Sequence, residues 1–379
     1  MKFSNWIPKY TNNGLPLIIA GPCSAESPDQ LLSVAHSIKD LGISIMRAGV
    51  WKPRTRPNHF EGKGVEAFRW IQEVKKEVNI QFAVEVASPL HVQQALEAGI
   101  DIFWLGARTT VNPFTVQEIA DAMKGIDKIV LVKNPINPDL TLWIGAIERV
   151  YNAGVKKLGA IHRGFSSFQK SRYRNQPLWQ IPLELKSKYP ELPLIGDPSH
   201  IAGNREMIFE VSQKALDLGY DGLMIETHPD PDNALSDAAQ QITPSRLAEI
   251  LNQLRVSEKS SSNAIFLNQL EALREKIDNI DMELIETLAT RLKLIEKIGE
   301  YKKDNNVTVF QLERWNEIMK TRPEWGQQSQ LAKEFVRELY RVIHDESIRI
   351  QTEIMNKPAL PALRTTSGGG SASRESESK

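Results

Sequence analysis

Between residue 16 and about residue 226, short β-branched runs alternate with stretches whose apolar residues follow helical spacing. Eight such runs occur, at 16–20, 43–47, 80–86, 101–105, 128–132, 157–161, 193–196 and 220–225. A helix after every strand returns the chain to the same end of the sheet, so consecutive strands pair in parallel and the helices cover them. Strand-then-helix units in this number and length predict a (β/α)8 TIM barrel of roughly 250 residues. An open doubly wound sheet is the alternative. It uses fewer strands and a glycine-rich phosphate turn after the first, whereas here that turn is Gly21-Pro22-Cys23, whose proline has no backbone donor.

The pattern changes near residue 255, where RVSEKSSSNA has the composition of a linker. The division expected is a barrel over 1–256, a linker over 257–264, an all-α domain over 265–356 and a disordered tail over 357–379. Ile265, Leu270, Leu273, Ile277, Ile280, Leu284, Leu288, Leu292, Ile295 and Ile298 recur mostly three or four apart, describing one amphipathic helix to Lys303. At ~1.5 Å per residue that helix is about 60 Å long, wider than a domain of this size, so its apolar stripe calls for a second copy of the chain. Two shorter helical stretches follow, near 310–321 and 327–355. The tail TTSGGGSASRESESK lacks core-forming side chains.

Composition narrows the function. The 47 basic residues equal the 47 acidic ones, which argues against a polyanion-binding surface and hence against nucleic acid, while leaving room for a local cationic pocket. One cysteine excludes an internal disulfide framework, MKFSNWIPKY has no signal-peptide core, and no apolar run approaches the roughly 18 residues of a membrane span. A cytoplasmic protein is expected.

In a barrel of this kind the carboxyl ends of all strands meet on one rim. The runs lead there to Cys23, Arg47 with Lys52 and Arg54, Glu85, Arg108, Lys133, His162 with Arg163, Asp197 with His200, and Glu226 followed by Asp237. Cys23, His200, Glu226 and Asp237 together make a mixed donor set for a divalent ion such as manganese, iron, cobalt or zinc. Arg47, Lys52, Arg54, Arg108, Lys133 and Arg163 form a cationic cluster that self-repels unless anionic ligands occupy it. Taken singly, each residue has a plainer reading: a buried thiol as a small hydrophobe, Asp197 as a helix cap, an arginine as an ion-pair partner.

The motifs GPCSAES, RAGVWKPRT, GART, LVKNP, IHRGF, GDPSH and ETHPDPDNALSD, in that order over residues 10–250, resemble the compact branch of the type I 3-deoxy-D-arabino-heptulosonate 7-phosphate (DAHP) synthases. The resemblance implies a metal-dependent condensation of phosphoenolpyruvate with erythrose 4-phosphate, the first step of the shikimate pathway. It places the metal on Cys23, His200, Glu226 and Asp237. It places phosphoenolpyruvate on Arg47, Lys52, Arg108, Lys133 and Arg163, and the sugar phosphate on Arg54 and Thr55, with Glu85 at the same rim. Lys52 is the expected proton donor. The related 3-deoxy-manno-octulosonate 8-phosphate synthases are the minor alternative; they read Lys-Ala-Asn-Arg-Ser where this chain has KPRT.

LREKIDNIDMELIETLATRLKLIEKIGEYKK, residues 273–303, resembles the first helix of the all-helical chorismate mutases. That likeness implies rearrangement of chorismate to prephenate by Arg274, Arg291, Lys302, Arg314, Ser347 and Gln351, within a dimer formed through this domain. Arg274 lies roughly 40 Å along the helix from Lys302, so it must serve a site built largely by a partner subunit. One departure stands out: QLERW puts Gln311 and Trp315 where the family has an aspartate and the glutamate that binds the substrate hydroxyl. A domain so altered could instead be a sensor for chorismate or prephenate that inhibits the barrel, and feedback of this kind is expected whether or not the mutase turns over.

Overall fold

The computed structural model describes residues 1–11, 16–52, 60–167, 171–257 and 261–357. The chain divides into two compact units, Met1–Ser260 and Ser261–Lys379.

In the first unit, β1 (Leu17–Gly21), β2 (Ile45–Arg47), β3 (Gln81–Glu85), β4 (Ile102–Leu105), β5 (Ile129–Lys133), β6 (Leu158–His162), β7 (Leu194–Gly196) and β8 (Gly222–Glu226) form a closed barrel. Every pair is parallel, and β8 returns to β1 with Leu17 opposite Gly222 and Gly21 opposite Glu226. All of the expected runs become strands, each starting one or two residues later than expected and four of them (β1, β5, β6 and β8) ending one residue further on, and closure of β8 on β1 excludes the open sheet. Alternation along each strand sorts the side chains. Leu17, Ile19, Ile45, Ala83, Ile102, Trp104, Ile129, Leu131, Ile161, Ile195 and Met224 fill the interior. Residues between them, such as Met46, Val84, Phe103, Val130, Val132 and Ile225, face the helix layer.

The covering helices begin with recurring local chemistry. Ser27, Ser88, Asn112, Asp197 and Thr243 each accept a backbone N–H from the helix they start, and each is followed by proline. Proline at the first helical position sacrifices a donor that has no intrahelical partner anyway.

The amino-terminal segment closes the barrel at the end opposite the rim. Trp6 packs against the interior cluster, and its indole N–H donates to the Leu158 carbonyl at 2.8 Å. Trp6 therefore caps a packed interior.

The second unit consists of helices Ala264–Asp304, Leu312–Gln328 and Lys333–Asn356, the last packing against both others. The middle helix was expected near 310–321, short of Pro323, and an interior proline removes a hydrogen bond and costs about 3 kcal/mol or more. It continues to Gln328, with Pro323 and Gly326 buried. A Cβ on Gly326 would lie 2.3 Å from Val336 Cγ2, so the glycine lets the last helix approach closely, and this packing overrides the local preference. Along the long helix, Ile265, Leu273, Ile277, Ile280 and Leu284 are each more than half exposed.

Replacing Trp6 with alanine removes both the plug and its hydrogen bond. The barrel transition in urea is expected to lose about 3–5 kcal/mol, read from the denaturation midpoint, with the helical unit's transition unchanged.

Candidate active site and metal centre

The strand period that fills the barrel also aims Arg47, Glu85, Lys133 and Glu226 inward, because each is the last residue of its strand and sits two places beyond an interior apolar residue. Beneath them lies Trp104. Its indole N–H donates to Glu85 Oε2 at 3.1 Å, and Arg47 and Lys133 stand over its ring at 5.2 and 5.7 Å. Two ion pairs are almost wholly enclosed: Arg47 Nη2 to Glu226 Oε1 at 3.0 Å and Lys133 Nζ to Asp197 Oδ2 at 2.8 Å. Removing one member of such a pair strands the other charge and costs about 3–5 kcal/mol. Two glycines make the close approaches possible. Gly21, at φ +147°, would place a Cβ 2.1 Å from the Arg47 carbonyl, and a Cβ on Gly106 would lie 2.1 Å from Glu85 Oε1.

Cys23, Glu226 and Asp237 bring one sulfur and two carboxylate oxygens within 4.8 Å of one another. His200 Nε2 lies 3.9 Å from Glu226 Oε1. On its other nitrogen, His200 Nδ1 meets Asp197 at 2.9–3.0 Å, so the carboxylate fixes the proton on Nδ1 and leaves the Nε2 lone pair facing the cluster. Burial, against the pull of Asp197, lowers the His200 pKa and favours this neutral ring. Beyond its ion pair with Arg47, the buried Glu226 Oε1 takes no hydrogen bond, and an oxygen in that state suits a cation. The donors fit a divalent ion of borderline softness.

Charges set the protonation states. Burial, reinforced by Glu226 and Asp237 and opposed by Lys52, pushes the Cys23 thiol up to about 12. Burial acts against ionisation of Asp197, Glu226 and Asp237 as well, but neighbouring cations prevail. Lys133 and the hydrogen bond from His200 Nδ1 hold Asp197 far below its ordinary value; Arg47 and Lys52 lower Glu226; Arg174 and Lys52 lower Asp237. Lys52 donates to Cys23 Sγ at 2.9 Å.

The expected rim residues Lys52, Glu85, Arg108, Lys133, Arg163, His200 and Asp237 line one cavity of about 320 Å³. Burial brings Arg163 down to about 10, and its guanidinium donates to Asn175 Oδ1 at 2.7 Å. Arg54 and Thr55 fall outside the described residues. His162 requires a correction: as the residue after Ile161 it faces the helix layer, not the rim. Its Nε2 donates to the Pro177 carbonyl at 2.6 Å, Tyr220 donates to its Nδ1 at 2.9 Å, and burial lowers its pKa to about 3.

Sequence reasoning missed Arg174, Asn175, Gln240 and Gln241. Arg174 donates to Asp237 Oδ1 at 3.0 Å and to Gln240 Oε1 at 2.6 Å; Gln240 in turn donates to Glu226 Oε2 at 2.6 Å. The Cys23 N–H donates to Gln241 Oε1 at 2.9 Å. Arg174 ties Gln240 to Asp237, and the glutamine pair thus braces Glu226 and Cys23. Its position just after ALSD was the available signal, but loop glutamines carry no periodicity.

In the helical unit, Arg291, Lys302, Arg314 and Gln351 line a cavity of about 460 Å³, joined by Arg322, Tyr340 and His344, which the sequence reasoning did not select. Arg291 donates to Ser347 Oγ at 2.9 Å, and Lys302 to the Val309 carbonyl at 2.6 Å. Gln311 lines the same space. Arg274 is not among the lining residues; it is exposed and 3.7 Å from Glu271.

Two outcomes follow from the barrel geometry. Because metal must displace the Cys23 proton, zinc affinity is expected to tighten about tenfold per pH unit from pH 6.5 to 8.5, with a proton released on binding; calorimetry in buffers of different ionisation enthalpy checks both. Gln240→Ala is expected to weaken zinc binding about 10- to 100-fold by chelator competition, while circular dichroism remains unchanged.

The family model described as the DAHP synthetase I family matches residues 9–261, and that described as chorismate mutase type II matches residues 273–352. A phospho-2-dehydro-3-deoxyheptonate aldolase of Thermotoga maritima is 30% identical over 243 residues, covering 64% of this chain and 70% of that protein. A 2-dehydro-3-deoxyphosphooctonate aldolase of Coxiella burnetii is 25% identical over 278 residues, covering 68% of this chain and 95% of the relative. The crystal structure of a Thermotoga maritima DAHP synthase superposes with a TM-score of 0.58 at 29% identity, over 64% of this chain and 68% of that one. A truncated form of the Thermotoga enzyme gives 0.56 at 27% identity, over 64% and 86%. The chain therefore belongs to the DAHP synthetase I family and carries a type II chorismate mutase domain after its barrel.

Proposed function

We propose that the rim cavity condenses phosphoenolpyruvate with erythrose 4-phosphate and water, yielding DAHP and phosphate, and that the helical cavity converts chorismate to prephenate. The observation that carries the first assignment is the meeting of a cationic pocket with the Cys23, His200, Glu226 and Asp237 donor set.

Phosphoenolpyruvate presents a phosphate and a carboxylate on a small frame. Arg108, Lys133 and Arg163 offset these charges and fix the face that the enol presents, with Arg47 beneath them. C3 attacks the aldehyde carbon, the carbonyl π electrons become an alkoxide, and positive character grows at C2. Water adds at C2 and gives up both protons, one matching the proton taken up by the alkoxide and one leaving with the phosphate as the C2–O bond breaks, which leaves the ketone. Lys52, held at Cys23 and lining the cavity, is placed to protonate the alkoxide. Arg54 and Thr55 are the proposed sugar-phosphate contacts. Cys23, His200, Glu226 and Asp237 would hold a manganese, iron, cobalt or zinc ion, which when bound would supply Lewis-acid polarisation of the aldehyde.

Chorismate rearranges within one molecule and needs no nucleophile. Arg291 and Arg314 match its carboxylates, Ser347 orients Arg291, and Lys302 and Gln351 donate to the ether oxygen as its C–O bond breaks. The exposed stripe of the long helix supports a dimer through this unit, with Arg274 serving the partner's cavity. A ligand that favours one arrangement of that dimer also biases the barrel, so prephenate is proposed as a feedback inhibitor.

An assay with erythrose 4-phosphate and with arabinose 5-phosphate, each with and without chelator, tests the barrel assignment. Chelator-sensitive preference for erythrose 4-phosphate is expected; preference for arabinose 5-phosphate would move the barrel to the octulosonate branch. Deleting residues 257–379 is expected to leave condensation active and insensitive to prephenate. Persistent inhibition would place the effector site in the barrel, and inhibition without chorismate turnover in the full chain would favour a sensor.

A further inference from the structure

We propose that His344 binds the ring hydroxyl of chorismate and so makes the helical cavity selective for the hydroxylated substrate. The inference rests on the mutase assignment above and adds a residue to it. His344 belongs to the last helix and lines the same cavity as Arg291, Lys302, Arg314 and Gln351. Its Nε2 is enclosed and has no hydrogen-bond partner among the described residues. A polar ring atom in that state costs free energy unless something in the cavity meets it.

The surrounding side chains decide which substrate group that is. Chorismate offers two carboxylates, an ether oxygen and one hydroxyl. Arg291, Lys302, Arg314 and Arg322 provide cations for the anionic groups, and Lys302 and Gln351 provide donors for the ether. The hydroxyl can donate and accept, and His344 lines the cavity with a ring nitrogen that has no partner among the described residues. Burial, with Arg291 and Lys302 acting in the same direction and Asp345 opposing, lowers the His344 pKa and keeps the ring uncharged. A neutral imidazole nitrogen accepts from a hydroxyl, or donates to it in the other tautomer.

Packing holds the ring in place. Trp315 lies against His344 with centroids 4.2 Å apart, and Phe310 meets it edge-on at 6.1 Å. Trp315 stands at the position where the sequence likeness leads one to expect a glutamate. The indole supports the imidazole and offers no acceptor, while the imidazole, which lines the cavity, contributes the polar atom. The two residues together replace one acidic side chain by an aromatic brace and a ring nitrogen.

The experiment compares turnover of chorismate with turnover of a chorismate analogue lacking the ring hydroxyl, in the full chain and in His344→Phe, His344→Gln and Arg291→Ala variants. His344→Phe is expected to lower kcat/KM for chorismate about tenfold and to change that for the analogue by less than about twofold. His344→Gln, which retains a polar group, is expected to recover part of the loss. Equal losses on both substrates for His344→Phe, or no loss on either, would overturn the assignment of the hydroxyl to His344. Full turnover of both substrates by Arg291→Ala would instead show that the reaction occurs outside this cavity, and the mutase assignment would fail with it.

Discussion

The barrel rim depends on burying charge without leaving it uncompensated. Arg47 with Glu226 and Lys133 with Asp197 are enclosed ion pairs, and neither the strands that carry them nor the loops beside them could hold a lone charge there. Closure of the sheet solves the problem: parallel strands of similar length deliver opposite charges to adjoining positions, above a floor made by Trp104. The same pairs link the cations proposed to bind substrate to the carboxylates proposed to hold or orient the metal site. Arg47 contacts Glu226, and Lys133 contacts the Asp197 carboxylate that orients His200.

Such pairs contribute little net stability compared with an apolar core, because desolvation offsets most of the Coulomb attraction. Their value lies in fixing positions before ligands arrive. Stability comes from elsewhere: the interior from Leu17 to Met224, the helix layer, and the Trp6 plug. The two cavities solve related problems differently. At the rim, cations are balanced by carboxylates; in the helical unit, Arg291 is oriented by the neutral hydroxyl of Ser347, leaving its charge available to an anionic substrate.

Most of the architecture was legible because strand alternation and helix spacing are periodic. Strand ends located Arg47, Glu85, Lys133 and Glu226 because the last interior-facing position of a barrel strand has only one place to point, and Cys23 follows β1 by two residues. That logic failed for His162, where one residue of phase separates rim from helix layer. It was silent on Arg174 and Gln240, whose roles arise from loop conformation and contacts more than 60 residues apart along the chain for the Arg174 pairs. In the helical unit, the helices were visible but the middle one ran past Pro323, since the fit of Gly326 against Val336 is a tertiary fact. His344 was hidden because its spacing is that of any helix residue, and only the fold brings Trp315 to its face.

Cys23 is the most economical test of the account, because its thiol joins the barrel's chemistry to a residue with no part in the helical cavity. Metal content, condensation and chorismate turnover measured on one preparation of Cys23→Ser give the result. The account predicts a folded protein that loses bound divalent metal and condensation together while rearranging chorismate at the parent rate. Normal metal content with normal condensation would contradict it.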